Sequence, residues 1–388
     1  ALVSGKALPP KLQAHFPRKK PSDNWKGYDL NLIRCIVKSI DSHIIQADEE
    51  QHSETLNICY DERNTYLTRN GLADWSYLKQ IITPGTQINL VRVRMDGGLC
   101  LPELIIYEPD YLINVTSVAS CFETYAESPF VSLVNRLKPQ ANTVHIHLGN
   151  LTGQFLDDTI HGREIPFSES MTQFFRHHAL EILACEGLQN RKQADEFYAK
   201  AQAQRANIKQ LIGHDLPLSL RGYDTGHVTL EPTFFSEVLG IQGRLDFLHT
   251  RQGHAVIIEQ KSGKGDFVPY TSSDYNPDIP KPQEKHLVQL ILYRALLVYE
   301  FQMRSEDLEH IMLLYSRYAH GLVSVGQMPE LMLRAIRMRN LLAYCDILYA
   351  EQGVGLLERI TPESLNQKHV AGKLWMQYTR PELEALLH

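Results

Sequence analysis

Residues 240–263 read GIQGRLDFLHTRQGHAVIIEQKSG, and a few polar positions stand out against an apolar background. Asp246 closes one strand-like run. Arg251, Gln252 and Gly253 supply a turn, and the chain returns through Ala255, Val256, Ile257 and Ile258 to deliver Glu259 and Lys261. Side chains alternate along a strand, so Glu259 and Lys261 share a face and Gln260 points the other way. A hairpin sets Asp246 beside Glu259. Two carboxylates and a backbone carbonyl form an oxygen-rich site suited to a hard divalent cation such as Mg2+. Lys261 can then position a water or stabilise negative charge developing on a phosphate. An ordinary hairpin with a surface Glu and Lys is the plainer alternative. The β-branched run favours the catalytic one, because burying an acid and a lysine is costly unless they have partners or a metal.

Further on, residues 286–300 read HLVQLILYRALLVYE. Leu287, Leu290, Tyr293, Leu296 and Leu297 have helical spacing, and Gln289 and Tyr293 lie at i and i+4 on one face. The order GxxD, turn, hydrophobic strand ending in ExK, then QxxxY resembles the PD-(D/E)XK nuclease superfamily in its RecB-like branch. The resemblance implies an α/β fold with a restriction-endonuclease-like core, a mixed central sheet flanked by helices. It implies that Asp246 and Glu259 hold Mg2+ or Mn2+ with the carbonyl of Gln260 as a further ligand, and that Lys261 orients the attacking water. Glu231 and Gln289 assist, and Tyr293 supports the helix geometry.

Within that superfamily the chain is similar to the nuclease part of the replication helicase-nucleases, which trim Okazaki-fragment flaps, and to their bacterial relatives. The likeness rests on Glu231 ahead of GIQGRLD, on EPDYLINVTSVASCFETYAESPF at 108–130 and on LLYSRY at 313–318. It implies a nuclease acting on single-stranded or flapped DNA in repair, replication or phage defence, with a helicase domain in cis. No G-x-x-x-x-G-K-[ST] loop occurs in this sequence, so a motor is expected outside it. The chain begins at Ala1 and ends RPELEALLH, and it reads as a piece of a longer protein.

Two departures from the family matter. Many relatives hold an iron–sulfur cluster with four cysteines, one before the core and three after the QxxxY helix. Here Cys121 stands near the first position and only Cys345 follows Tyr293; four thiolates are the usual requirement, so no iron–sulfur cluster is expected. Relatives also place a metal-binding histidine on an early helix, about four residues after a glycine. In LGNLTGQFLDDTIHG that offset from Gly149 is Gly153. Asp157 or Asp158 is the substitute expected as a metal ligand, with His177 and His178 as more distant candidates or plain surface residues.

The composition agrees with a cytoplasmic protein of two or three domains. Six cysteines at 35, 59, 100, 121, 185 and 345 form no CxxC pair, which argues against a disulfide framework or a zinc ribbon. No signal peptide is expected, and the sequence has no apolar run long enough to span a bilayer. The net charge of −6 does not advertise DNA binding, but a local basic path with bound cations can neutralise phosphates. Candidate patches are Arg18, Lys19 and Lys20; Arg191 and Lys192; and Arg334, Arg337 and Arg339. The best placed are Lys264, Lys281 and Lys285, which flank the nuclease motifs. They bracket a loop with four prolines, KGDFVPYTSSDYNPDIPKPQEK, long enough to act as a lid or substrate guide. Tyr270 and Tyr275 in it are expected to stack on bases.

Residues 1–27 read as an irregular arm. Short β-like runs at 32–40, 42–46, 55–60, 87–94 and 101–107, with one helix near 74–80, fit an OB-like β-barrel over 28–111. Such a barrel either binds single strands through aromatics, here Tyr60, Tyr66, Trp75 and Tyr77, or serves as a docking scaffold. Residues 112–225 read as the helical part of the nuclease region. Its last helix, 190–212, is so polar that it is expected on the surface or arching over the groove. Residues 226–388 read as the nuclease core and C-terminal helices at 328–352, 361–368 and from 380. Two other functions remain open. One is a catalytically degenerate DNA-binding module, suggested by the missing early histidine. The other is a protein-interaction platform in a repair or defence complex, suggested by the acidic balance.

Overall fold

A computed structural model describes residues 24–25, 28–64, 74–124, 126–137, 142–220, 222–273 and 275–359. Most of the N-terminal arm with its basic triplet, Tyr66, and the helices expected at 361–368 and from 380 lie outside these residues. The end of the arm, expected to be irregular, instead forms a two-residue strand β1 (Asn24–Trp25) paired with β2 (Tyr28–Asp29).

A closed five-stranded barrel follows. Its strands are β3 (Leu32–Ile40), β4 (Ile44–Glu49), β5 (Thr55–Cys59), β6 (Gln87–Asp96) and β7 (Leu99–Tyr107), in the order β3-β4-β5-β7-β6 with β6 closing on β3. The short helix α1 (Leu78–Ile81) sits between the third and fourth barrel strands. Ile33, Cys35 and Val37 alternate inward along β3, as a two-residue period requires. The barrel aromatics are consumed by packing. Tyr60, Trp75 and Tyr77 are buried, and Trp75 stacks on Tyr77. These three rings therefore offer no stacking surface.

Beyond the barrel run β8 (Ile113–Asn114) and the helices α2 (Val115–Ser120), α3 (Pro129–Leu137), α4 (Val144–Ile160), α5 (Phe167–His177), α6 (Ala179–Leu183), α7 (Arg191–Gln210) and α8 (Leu216–Ser219). Then come β9 (Val228–Leu230), β10 (Thr233–Ser236), β11 (Ile241–Arg244), β12 (Phe247–Arg251), β13 (His254–Lys261), helix α9 (Glu284–Tyr299), β14 (Leu308–Tyr315), β15 (Leu322–Ser324) and helix α10 (Pro329–Gln352). The main sheet is mixed, ordered β15-β14-β13-β12-β9. Its β13 and β14 are parallel and α9 makes the crossover between them. A small second sheet has the order β10-β11-β8.

The apolar run of β13 is continuous because both of its faces are covered. Ala255 and Ile257 pack in one cluster with Leu292 and Leu296 of α9. Val256 and Ile258 pack in another with Leu151 and Phe155 of α4 and Phe197 of α7. Helix α7, expected on the surface or arching over the groove, lines the groove through Lys200 and also has a buried face. Phe197, Ala201, Gln204 and Ile208 form a buried stripe, and its amides serve the ends of the central strands. Gln204 Nε2 donates to the Ser262 carbonyl at 3.2 Å, Asn207 Nδ2 to the Ser316 carbonyl at 2.9 Å, and Ser316 Oγ to Gln204 Oε1 at 2.6 Å. Carbonyls past the end of a ladder need donors, and polar side chains supply them.

Helix α10 fastens the barrel to the core. Arg339 was read as part of a basic patch but is wholly buried. Its guanidinium donates to the carbonyls of Gly240 (3.0 Å), Glu108 (2.9 Å), Tyr111 (2.7 Å) and Tyr107. Asn340 beside it donates to the Ile105 carbonyl and Tyr77 Oη, and accepts from Tyr107 N. Arg334 is engaged by Glu127 and Glu284. Arg339 and Asn340 thus bind backbone at the end of the barrel and beside it. No helix among the described residues is long and apolar enough to cross a membrane.

Candidate active site

The β12–β13 register pairs Phe247 with Ile258, which sets Asp246 across from Glu259. Asp246 does not end a strand but joins two sheets, lying between β11 and β12. Its position is held on both sides. Leu245 is buried and its N–H donates to the Pro232 carbonyl at 3.1 Å. The Asp246 carbonyl accepts from Glu231 N at 3.1 Å, and Asp246 Oδ2 accepts from Gln260 N at 2.7 Å. Glu231 takes a left-handed φ of 51° to reach this bond, a conformation that costs a non-glycine residue about 1 kcal/mol or more.

Glu259, Lys261 and Gln289 form a closed triangle. Lys261 Nζ donates to Glu259 Oε1 at 2.8 Å and to Gln289 Oε1 at 3.0 Å, while Gln289 Nε2 donates to Glu259 Oε1. The other Glu259 oxygen, Oε2, is buried without a hydrogen-bond partner among the described residues. Tyr293, one turn beyond Gln289, donates to the Arg244 carbonyl at 2.6 Å. It thereby ties α9 to the strand leading into Asp246. Gly243 makes room for it: a Cβ there would lie 2.8 Å from Tyr293 Oη. Burial of the two acids sets the electrostatics. It pushes Asp246 above its ordinary range, and it pushes Glu259 up to about 7, a rise that Lys261 opposes and Asp246 adds to.

That shift predicts a pH dependence. An unfolded glutamate releases its proton near 4.5 and the folded Glu259 near 7. The folded state thus binds more protons between those values. The associated stability is fully present below the lower value and is lost as pH rises through the upper one. Metal-free protein should lose on the order of 3 kcal/mol between about pH 5 and about pH 8 from this group. Glu259→Gln should be more stable than wild type at the alkaline end and lack this component. Denaturant melts across the pH range check it, and a wild-type profile identical to that of the variant would contradict it.

The site opens onto a polar groove of about 1510 Å3. Asp246, Glu259, Gln260, Lys261 and Gln289 line it, as do Glu231 and Arg244 on one side and Gly149, Gly153 and Asp157 of α4 on another. Asp157 is held by Arg163 Nη1 at 2.6 Å and His161 Nδ1 at 3.0 Å. Glu231 is held by Arg244 Nη1 at 3.1 Å. Among the described residues no three His, Cys, Asp or Glu side chains converge as a metal-holding group. Asp246 and Glu259 are brought together, whereas Asp157 and Glu231 share the groove but are engaged by arginines. His177 Nδ1 donates to the Gln173 carbonyl and His178 pairs with Glu181, both away from the groove lining. The donor set still fits a hard divalent cation, because a buried carboxylate oxygen without a partner stands beside a second carboxylate.

Of the candidate DNA contacts, Lys264 and Lys285 line the groove. Lys285 also pairs with Glu123 at 3.0 Å. Lys281 lies off the groove wall, 3.6 Å from Asp266. Tyr270 and Tyr275 face one another with ring centroids 4.7 Å apart, and Tyr270 is exposed. Sequence reasoning did not single out His286, Lys200 and Arg317, which also line the groove. Lys200 and Arg317 carry no local pattern that would reveal them, but His286 lies at the same helical offset before Gln289 as Gln289 does before Leu292.

No curated protein matches the chain. The family model of the PD-(D/E)XK nuclease superfamily matches residues 119–364, beginning just past the barrel and covering more than half of the sequence. That span contains the strand junction, the Glu-x-Lys strand and the Gln-bearing helix that meet at the groove, and the chain belongs to the PD-(D/E)XK nuclease superfamily.

Proposed function

We propose that this chain is a metal-dependent DNA nuclease that hydrolyses phosphodiester bonds in single-stranded or flapped DNA. The observation that carries the reading is Glu259 Oε2, buried and unpartnered beside Asp246 at a polar groove. Asp246, Glu259 and the Gln260 carbonyl would hold Mg2+ or Mn2+, which when bound supplies positive charge against the phosphate. The residues of the chain have separate tasks. Lys261, steadied by Glu259 and Gln289, orients the attacking water and faces the charge that builds on the phosphate oxygens. Tyr293 holds the strand leading to Asp246 in place. Glu231 fixes the Asp246 carbonyl from the other side.

The finer reading places the chain in the RecB-like branch beside the helicase-nucleases, with a helicase domain in cis and a role in repair, replication or phage defence. The strand order and inserted helix of the barrel support an OB-like identity. Its buried aromatics favour a scaffold over a strand-binding surface. Only Cys345 follows Tyr293, short of the four thiolates a cluster usually needs, so the purified protein should be colourless; stoichiometric iron with broad visible absorbance would contradict this.

The test is a cleavage assay with Mg2+ or Mn2+ on end-labelled single strands, flaps and blunt duplexes. A flexible strand should enter the groove more readily than a duplex with a persistence length of ~150 bp. Cleavage of single strands and flaps should therefore exceed that of blunt duplex, and equal rates would count against the reading. Removing both Lys264 and Lys285 should lower the salt slope of DNA binding by roughly one to two, one condensed counterion per lost phosphate contact. An unchanged slope would place the DNA elsewhere.

A further inference from the structure

His286 stands in the first turn of α9, three residues before Gln289, and lines the same groove. Its Nδ1 is 2.8 Å from Tyr315 Oη. Tyr315 is buried on β14 and pairs in register with Lys261 of β13. The Gln283 N–H donates to the same phenol oxygen at 3.1 Å. A phenol has one proton to give. With its oxygen accepting from Gln283, the phenol can give that proton to His286 Nδ1. In that arrangement Nδ1 is the acceptor and Nε2 carries the hydrogen. Burial, reinforced by Lys261 and Lys285, pushes the ring down to about 3 and keeps it neutral.

Building on the nuclease reading, we propose that His286 is a phosphate-contacting residue that donates its Nε2–H, as a neutral hydrogen bond, to a substrate phosphate oxygen beside Lys261. The relay from Gln283 N–H through Tyr315 Oη to Nδ1 orients the ring and selects this tautomer. A neutral donor suits the position. Lys261 and Lys285 already bring two positive charges to this wall, and a third would repel both.

The test is cleavage of an end-labelled single-stranded oligodeoxynucleotide with Mn2+. His286→Leu should lose roughly tenfold to a hundredfold in kcat/KM, the range for a hydrogen bond to a charged acceptor. His286→Gln should recover most of that loss, since its amide Nε2 lies the same number of bonds from Cα as the imidazole Nε2. The salt slope of oligonucleotide binding should be unchanged in both variants, because a neutral donor releases no counterion. Tyr315→Phe, which keeps the ring but not the relay, should lose a smaller part of the rate. If wild type cleaves and His286→Leu cleaves equally well, the inference falls while the nuclease reading stands. Folded His286→Gln as poor as His286→Leu overturns the donor role, and a reduced salt slope overturns the neutral form. A wild-type chain that cleaves nothing overturns the nuclease reading on which the inference rests.

Discussion

Lys261→Ala should slow phosphodiester cleavage on the order of a thousandfold, as expected when a preorganised group facing transition-state charge is removed. Asp246→Asn and Glu259→Gln should lose at least as much, because each replaces an anionic oxygen that a divalent cation requires. In metal-free buffer, DNA binding by the two acid variants should stay within a few-fold of wild type, since neither acid contributes positive charge to the groove. The stability effects should diverge from the activity effects. Lys261 hydrogen-bonds both Glu259 and Gln289, so its loss leaves a buried carboxylate less compensated. Glu259→Gln removes that buried acid, and metal-free protein should gain stability as catalysis is lost. Gains in stability from replacing an active-site group are a common sign that the group serves chemistry. Cleavage assays beside denaturant melts separate the two effects. Near-normal cleavage by Lys261→Ala or Asp246→Asn, with either metal, would remove these residues from the reaction.

Arg339→Ala should cost about 3–5 kcal/mol of folding stability, a range typical of breaking a buried charged network. Its side chain is wholly buried and satisfies four backbone carbonyls, drawn from the barrel's last strand, the segment after it and the turn before β11. Burial lowers its pKa to about 9, which still leaves the guanidinium charged at neutral pH. Truncation would strand those carbonyls without donors and leave a cavity. Gly240 beside it has a φ of 61°, and a Cβ there would collide with the guanidinium. Arg337→Ala is the control. Arg337 is partly exposed, its nearest acid is Asp74 at 3.8 Å, and a surface pair of this kind is worth about 0–1 kcal/mol. Equal losses for the two variants by urea denaturation would refute the buried role of Arg339.

The helix α10 and the groove show where local reasoning stopped. Arg334, Arg337 and Arg339 look alike as letters, and their spacing on a helix describes only which way they point relative to one another. Whether they meet solvent, phosphate or backbone depends on what packs against the helix. Helix α7 shows the same limit. Its stripe of Phe197, Ala201, Gln204 and Ile208 is buried, but glutamine at a buried position looks like surface until Ser262 and Ser316 bring strand ends to it. The early metal ligand has a similar history. Asp157 lies on the wall of the groove, yet Arg163 and His161 engage it, and neither partner is implied by the glycine offset that pointed to this helix.

The sequence by itself determined the parts that rest on local periodicity. Alternation along 255–261 put Glu259 and Lys261 on one face, the turn at 251–253 set Asp246 opposite, and the helical period from 286 put Gln289 and Tyr293 on the face that meets them. The five barrel strands and their inserted helix were legible for the same reason, since strand period and turn residues are properties of neighbours in the chain. Only the tertiary structure decided the rest. Asp246 becomes a junction between two sheets, Gly243 a passage for Tyr293, and His286 a partner of the buried Tyr315. Arg339 becomes a clamp between barrel and core. Each of those outcomes depends on desolvation and on partners tens to hundreds of residues away, and no local pattern records which distant groups will share a low-dielectric interior.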